Sequence, residues 1–175
     1  MRCSRSLVAG ILLAAVASAA LAQQQGHHHG HGGMSMPDAR QPVDFPPQMQ
    51  AQFLANMRDH VKTLDEILQA LAARDPARAS RVAADRLGLA SPSAEGCEPA
   101  AGGQAAAPPP GSMAEMMAHH MPESMRAMGL ALHRSASEFA TVAAKAGPQD
   151  TTAVLGALSQ VTQNCVACHS AYRLR

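Results

Sequence analysis

The most informative residues lie near the C-terminal end, where Cys165, Cys168 and His169 form the pattern Cys-x-x-Cys-His. Two cysteines three positions apart on a helix project to the same side, so their thiols can add to the two vinyl groups of one porphyrin. The histidine after the second cysteine can then bind the iron. This pattern is the attachment signature of c-type haem. The sequence therefore predicts one covalent haem c, attached through Cys165 and Cys168, with His169 as an axial ligand.

Two other uses of the same cysteine pair are a redox-active dithiol and one half of a zinc site. A zinc ribbon needs a second pair of cysteine or histidine ligands at suitable spacing. Cys97 is the only further cysteine after residue 22. A thioredoxin-like dithiol needs a strand–helix–strand context, whereas the pattern of this chain is helical. Covalent haem is therefore the favoured interpretation.

The composition is consistent with a large bound group. The chain has 175 residues, of which 47% are hydrophobic but only 2% aromatic, and its net charge is +1. Ala, Leu, Val and Met must therefore fill the core, unless a large apolar body such as a porphyrin takes part of the space. The near-neutral charge gives no electrostatic basis for binding nucleic acid, so we expect no nucleic-acid partner.

The first 22 residues resemble a secretory signal peptide. Arg2 and Arg5 precede an uncharged apolar run from Leu7 to Ala20, and Ala20-Leu21-Ala22 supplies a small-x-small cleavage site. The run is shorter than the roughly 20 apolar residues that span a bilayer. We therefore expect a cleaved signal, export to the periplasm and no membrane span after the signal is removed.

Two segments are low in complexity. Residues 23–46 are rich in Gly, Pro, His and Gln and predict a disordered arm. This arm carries a tract of four histidines, which could hold an accessory metal ion or remain an unselective solvated tract: His27, His28, His29 and His31. Residues 91–112 are rich in Pro, Gly and Ala and predict a surface linker.

Apolar residues at helical spacing predict four helices between these segments. The first begins at Pro47, the second runs from Pro76 to Leu87, the third runs from Pro122 to Ala146, and the fourth begins near Asp150. Four amphipathic helices with mostly short connections predict an all-α fold over residues 47–175. The expected architecture is an antiparallel, up-down-up-down four-helix bundle with the haem attached to the last helix.

The C-terminal motif resembles that of the cytochrome c′ family, which ends in C-x-x-C-H-x-x-(Phe/Tyr)-(Arg/Lys). Tyr172 and Arg173 match the last two positions of this motif. The resemblance implies a periplasmic haem protein that carries electrons or binds small gases. The fourth helix is predicted to continue through Tyr172 and Arg173 into the haem environment. Arg173, four residues after His169, would then share its helical face and reach the proximal side or a haem propionate.

The second axial position of the iron decides between these two uses. Low-spin relatives in the family carry a methionine ligand where this chain has Met57, and methionine ligation raises the reduction potential. We therefore predict Met57 as the second axial ligand. Three alternatives stay open: ligation by His60 one turn further on, ligation by Met125 or Met128 of the third helix, and an open site. The methionines could also serve only as core packing.

The favoured function is therefore single-electron transfer by a periplasmic c-type cytochrome that is not an enzyme, with redox proteins as partners. One alternative is a five-coordinate cytochrome that binds NO or CO. A second alternative is a metal-handling protein that captures copper through the arm. Pairing of two copies into a homodimer is also left open.

Overall fold

Helices make up most of the regular structure in the computed structural model, which describes residues 37–95, 97, 109–147 and 149–175. The predicted signal peptide and the four histidines of the predicted arm lie outside these residues. The regular elements of the described part are, in chain order, β1 (Gln41–Val43), α1 (Pro47–Ala72), α2 (Pro76–Arg86), a short 3₁₀ helix (Pro92–Ala94), α3 (Met113–His120), α4 (Glu123–Lys145), α5 (Thr151–Ala171) and β2 (Tyr172–Leu174). The mostly helical class expected from the sequence is confirmed.

Two of the three predicted proline starts are confirmed, and both prolines suit the first turn of a helix. Pro47 and Pro76 each occupy the first helical position of their helix, where the missing N–H costs no hydrogen bond. The side chain of Asp75 accepts a hydrogen bond from the backbone N–H of Arg78 at 2.8 Å and so caps α2. Local sequence therefore sets where α1 ends and α2 begins.

The chain before Pro122 forms a helix that the sequence analysis did not predict, since the third predicted helix begins at Pro122. Ser112 caps this helix, α3, by accepting a hydrogen bond from the backbone N–H of Glu115 at 3.2 Å. Met121 and Pro122 then separate α3 from α4. This helix is rich in methionine and histidine, with the sequence MAEMMAHH.

The predicted helical positions of Tyr172 and Arg173 are wrong. The last helix, α5, ends at Ala171, and both residues lie in β2, which pairs in parallel with β1. Gln41 is opposite Tyr172 and Pro42 is opposite Arg173. Because the backbone here bonds to a neighbouring strand, it leaves the helical path, and Arg173 no longer shares a helical face with His169.

The same pairing corrects the boundary of the predicted disordered arm, which was drawn at residue 46. Residues 38–45 are held against the C-terminal segment by β1, and Val43 is only 4% exposed. The predicted surface linker is also corrected where it is described, because Ser91, Ala94 and Cys97 are buried. The structure also describes linker residues 92–93, 95 and 109–112. Residues 96 and 98–108 lie outside the described part.

The core consists of two clusters of buried side chains. The first joins α1, α2, α4 and α5, is rich in alanine, and includes the fully buried Phe139. The second lies where α3 and α4 meet the two short strands and is rich in methionine, with Met117, Met121 and Met125 among its buried members. The predicted core of small aliphatic residues and methionine is confirmed. Within the described residues, no helix is both long and apolar enough to cross a membrane.

Candidate functional site

A cavity of about 780 Å³ lies between α1, α3, α4 and the C-terminal part of α5. Its wall includes five of the residues predicted for the haem site: Met57, His60, Cys165, Cys168 and His169. These residues come from two helices that are far apart in the sequence, and the fold brings them to one cavity. The volume falls in the usual range of about 300–1,000 Å³ for ligand pockets.

Tyr172 and Arg173 are not among the residues that line this cavity. Tyr172 is buried in the methionine-rich cluster, and its hydroxyl forms a hydrogen bond with the hydroxyl of Ser124. Arg173 lies 3.5 Å from the Asp38 carboxylate, measured from Nε to Oδ2. Through these contacts both residues support the end of α5. They do so from β2 and not from a continued helix.

The two cysteines of the motif are free thiols on the cavity wall. Both are partly buried, and burial raises the pKa of each thiol. The Cys165 thiol also lies 3.6 Å from the backbone carbonyl oxygen of Val161, to which it can donate. The thiols therefore lie side by side along one turn of α5 and are protonated near neutral pH.

His169 occupies the last turn of α5 and is exposed to solvent on one side while lining the cavity on the other. Its backbone carbonyl accepts a hydrogen bond from Nη1 of Arg40 at 3.3 Å. This contact joins residues that are 129 positions apart. The candidate axial ligand is therefore tied to the segment that precedes α1.

His60 is the most deeply buried imidazole that the sequence analysis proposed for the site. Its side chain is only 7% exposed, and its Nε2 has no hydrogen-bond partner in the described part of the chain. Burial, aided by His133 and His169 and opposed by Asp59, lowers the pKa of His60 to about 4. A buried polar atom without a partner is uncommon, so His60 is suited to interact with a bound group.

His133 is a site residue that the sequence analysis missed. Its ring lies edge-on to the ring of His60, with the centroids 6.0 Å apart, and it also lines the cavity. Nδ1 of His133 donates a hydrogen bond to the carbonyl oxygen of Leu87 at 2.8 Å, while burial lowers its pKa. The sequence signal that could have identified His133 is its position between Leu132 and Ala136, which lie on the buried face of the third predicted helix.

Methionine side chains form much of the remaining wall. Met117 and Met121 come from α3 and the residue after it, whereas Met125 and Met128 come from α4. Met57 on α1 is half-buried and lines the same cavity. Thioethers adapt to irregular shapes and contact aromatic rings favourably, so this wall is suited to a flat aromatic body. All the methionines considered as axial ligands therefore lie on the cavity wall.

Cys97 also lies on the cavity wall, although the sequence analysis left it as a lone thiol in a linker. It is 6% exposed, and a Cβ atom placed on Gly129 would lie 2.9 Å from its sulfur. Burial, aided by the nearby Cys168 and opposed by Arg126, raises the pKa of Cys97 to about 11. The absence of a side chain at Gly129 thus leaves room for a third thiol beside the motif.

Charged residues line the mouth of the cavity. Arg86 bridges α2 and α1 by pairing with Asp59 at 2.5 Å and with Glu66 at 2.6 Å. Asp59 and Arg86 line the cavity, as do Asp85 and Glu95. The cavity therefore combines a largely apolar interior with a polar opening, as small-molecule sites commonly do.

The residues of the cavity fit a covalent haem. Two thiols are presented by one helical turn, His169 supplies an imidazole beside them, and His60 of α1, whose Nε2 has no hydrogen-bond partner, lines the same cavity. Imidazole and thioether groups are axial ligands of haem iron in proteins. No group of three or more His, Cys, Asp or Glu side chains placed to hold a metal ion is found among the residues that the structure describes.

The chain was compared with family models, curated proteins and solved structures. No family model matches it, and neither a curated protein nor a solved structure matches it.

Proposed function

We propose that this protein is a c-type cytochrome that binds one haem covalently and carries single electrons, without being an enzyme. The observation that carries the proposal is the single cavity on whose wall Cys165, Cys168 and His169 meet side chains from α1. A motif of this kind on an exposed surface would have no body of apolar side chains around it. Here the motif opens into a space of cofactor size.

The residues of the chain have distinct roles in this proposal. Cys165 and Cys168 would hold the haem through thioether bonds, and His169 would supply an imidazole ligand to the iron. The bound haem would supply a one-electron Fe(III)/Fe(II) couple. The methionine side chains on the cavity wall would place apolar atoms beside the haem, which would favour the less charged ferrous state and so raise the reduction potential.

Met57 stays our prediction for the second axial ligand. It lies on the cavity wall with His60, three residues further along α1, and with Met125 and Met128 of α4. The alternatives of the sequence analysis therefore all have access to the same space. A thioether ligand suits electron transfer, whereas an open position suits binding of small gases.

We also propose that α1, α2, α4 and α5 form an antiparallel four-helix bundle of the cytochrome c′ type. Two contacts support this. The pairing of β1 with β2 places the start of α1 beside the end of α5, as antiparallel first and last helices require. In addition, α4 packs against both α2 and α5, and its connection to α5 is short.

The proposed location is the periplasm, since the sequence begins with a predicted signal peptide and haem is attached to c-type cytochromes outside the cytoplasm. The proposed partners are redox proteins. A metal-handling role for the histidine tract and pairing into a homodimer stay alternative predictions.

Absorption spectra of the purified protein in both oxidation states, with and without carbon monoxide, test this function. A low-spin ferric spectrum, with slow or weak binding of carbon monoxide to the ferrous protein, is expected for an electron carrier with Met57 bound. A high-spin ferric spectrum with ready binding of carbon monoxide would instead identify a gas-binding cytochrome. A protein without any haem spectrum after expression with a c-type maturation system would contradict both.

A further inference from the structure

A short segment before α1, residues 38–45, is fastened to the chain that follows the Cys-x-x-Cys-His motif. We call this segment the clasp. Its backbone pairs with Tyr172–Leu174 through β1, and the carbonyl oxygen of Val43 accepts a hydrogen bond from the backbone N–H of Arg175 at 3.3 Å. Asp44 pairs with the side chain of Arg175 at 2.9 Å. The clasp therefore holds β2 and the residue that follows it.

One side chain of the clasp reaches the candidate axial ligand itself. Arg40 donates from Nη1 to the backbone carbonyl of His169 at 3.3 Å. Its other nitrogens hold Asp38, with Nε at 2.9 Å from Oδ1 and Nη2 at 2.8 Å from Oδ2. Asp38 also lies 3.5 Å from Nε of Arg173. Arg40 is thus fixed in one orientation by a carboxylate while it contacts His169.

The carbonyl of His169 needs such a donor because of where α5 ends. The last carbonyls of a helix have no N–H partner within the helix. The residue that would supply the next N–H, Arg173, has left the helix and lies in β2. The guanidinium of Arg40 takes the place of that donor, and it also brings a positive charge to the end of the helix dipole, where cations are favoured.

We propose that Arg40 is a positioning residue for His169: it fixes the last turn of α5 and so sets the orientation of the imidazole toward the haem iron. This inference rests on the proposed function, because the orientation of the His169 imidazole matters only when an iron is bound. Asp38 takes part by holding the guanidinium. The segment that the sequence analysis assigned to a disordered arm is then part of the proximal side of the site.

The contribution of these contacts to folding stability is small. The side chains of Arg40 and Asp38 are 43% and 41% exposed, and ion pairs between exposed residues contribute little. The pKa of Asp38 is held at about 2 by its hydrogen bonds with Arg40, so the carboxylate is charged at neutral pH. A role in positioning His169 therefore predicts changes in the properties of the iron that are larger than any change in stability.

The test compares Arg40→Ala with Arg175→Ala in the full chain carrying its haem. Each variant removes one arginine side chain from the contacts between the clasp and the C-terminal segment. The side chain of Arg175 pairs with Asp44 of the clasp and not with His169. The readouts are the reduction potential, the ferric absorption spectrum, and hydrogen exchange of the backbone amides of residues 165–173. Asp38→Ala/Arg40→Ala removes one charge of each sign and so separates the loss of the contact from the change in net charge. Arg40→Lys keeps the charge but cannot hold Asp38 and His169 with one planar group.

We expect Arg40→Ala to lower the potential, shift the ferric bands and speed exchange at the end of α5 more than Arg175→Ala does. The double variant should keep the spectral shift and the faster exchange, and Arg40→Lys should recover part of both. Equal effects of Arg40→Ala and Arg175→Ala, or a wild-type spectrum and exchange pattern in the double variant, would overturn the inference. A wild-type protein without covalent haem would contradict the proposed function instead, and exchange in the haem-free chain would then show whether Arg40 holds the turn that contains His169.

Discussion

Replacement of His60 by glutamine is expected to remove a large part of the pH dependence of folding stability below neutral pH. His60 is 7% exposed, and burial, aided by His133 and His169 and opposed by Asp59, lowers its pKa from 6.5 to about 4. The folded protein therefore binds a proton at this residue less readily than the unfolded chain. The stability that comes from keeping His60 neutral is present above pH 6.5 and is lost as the pH falls toward 4.

The magnitude follows from the difference between the two pKa values, which is about 2.5 units. Each unit corresponds to about 1.4 kcal/mol. Protonation of His60 should therefore cost about 3 kcal/mol of the free energy of unfolding once the pH has fallen to about 4. Glutamine is neutral throughout this range, so the variant should not show this loss.

Denaturant unfolding followed by circular dichroism measures the effect at a series of pH values between about 7.5 and 4. The free energy of unfolding of the wild-type protein should fall relative to that of His60→Gln by about 3 kcal/mol over this range. His119→Gln, which changes an exposed histidine of α3, is the matched control and should follow the wild-type curve. Parallel curves for wild type and His60→Gln would refute the argument from burial.

Three further results are expected. Cys165→Ala and Cys168→Ala should each prevent attachment of the haem by two thioether bonds, whereas Cys97→Ala should keep the full covalent haem content, as measured by pyridine haemochrome spectra. Met57→Ala should turn the ferric protein high-spin and speed the binding of carbon monoxide if its sulfur is the second axial ligand, and an unchanged spectrum would exclude it as the ligand. Arg86→Ala should lower the free energy of unfolding by about 1 kcal/mol, since it breaks two partly exposed ion pairs, and a denaturation midpoint equal to that of the wild type would contradict this.

Much of the helical structure could be predicted because its signals are local. Pro47 and Pro76 begin helices where the sequence placed them. Apolar residues at helical spacing identified the buried faces of α4 and α5, whereas in α1 the apolar Val61 and Leu68 are exposed. The motif and His60 were selected by residue type and spacing, and the fold brings them to one cavity. Residue chemistry and helical periodicity were sufficient for these positions.

The features that were missed depend on contacts between distant parts of the chain. The strands β1 and β2 contain three residues each, too few for an alternating pattern, and they pair residues that lie more than a hundred positions apart. Cys97 lies within a segment whose composition predicted a surface linker, and only the path of the chain places it against Gly129. Local sequence patterns do not indicate which distant residues will contact one another.

Covalent attachment of haem at the motif tests the central claim most directly. The protein, expressed with a c-type maturation system, is treated with acidic acetone, which extracts haem that is not covalently bound, and its intact mass is then measured. We predict a mass equal to that of the processed polypeptide plus one haem, with the haem located by peptide mapping on the segment that contains Cys165 and Cys168. A polypeptide that loses all haem on extraction, or that carries none before it, would contradict the account.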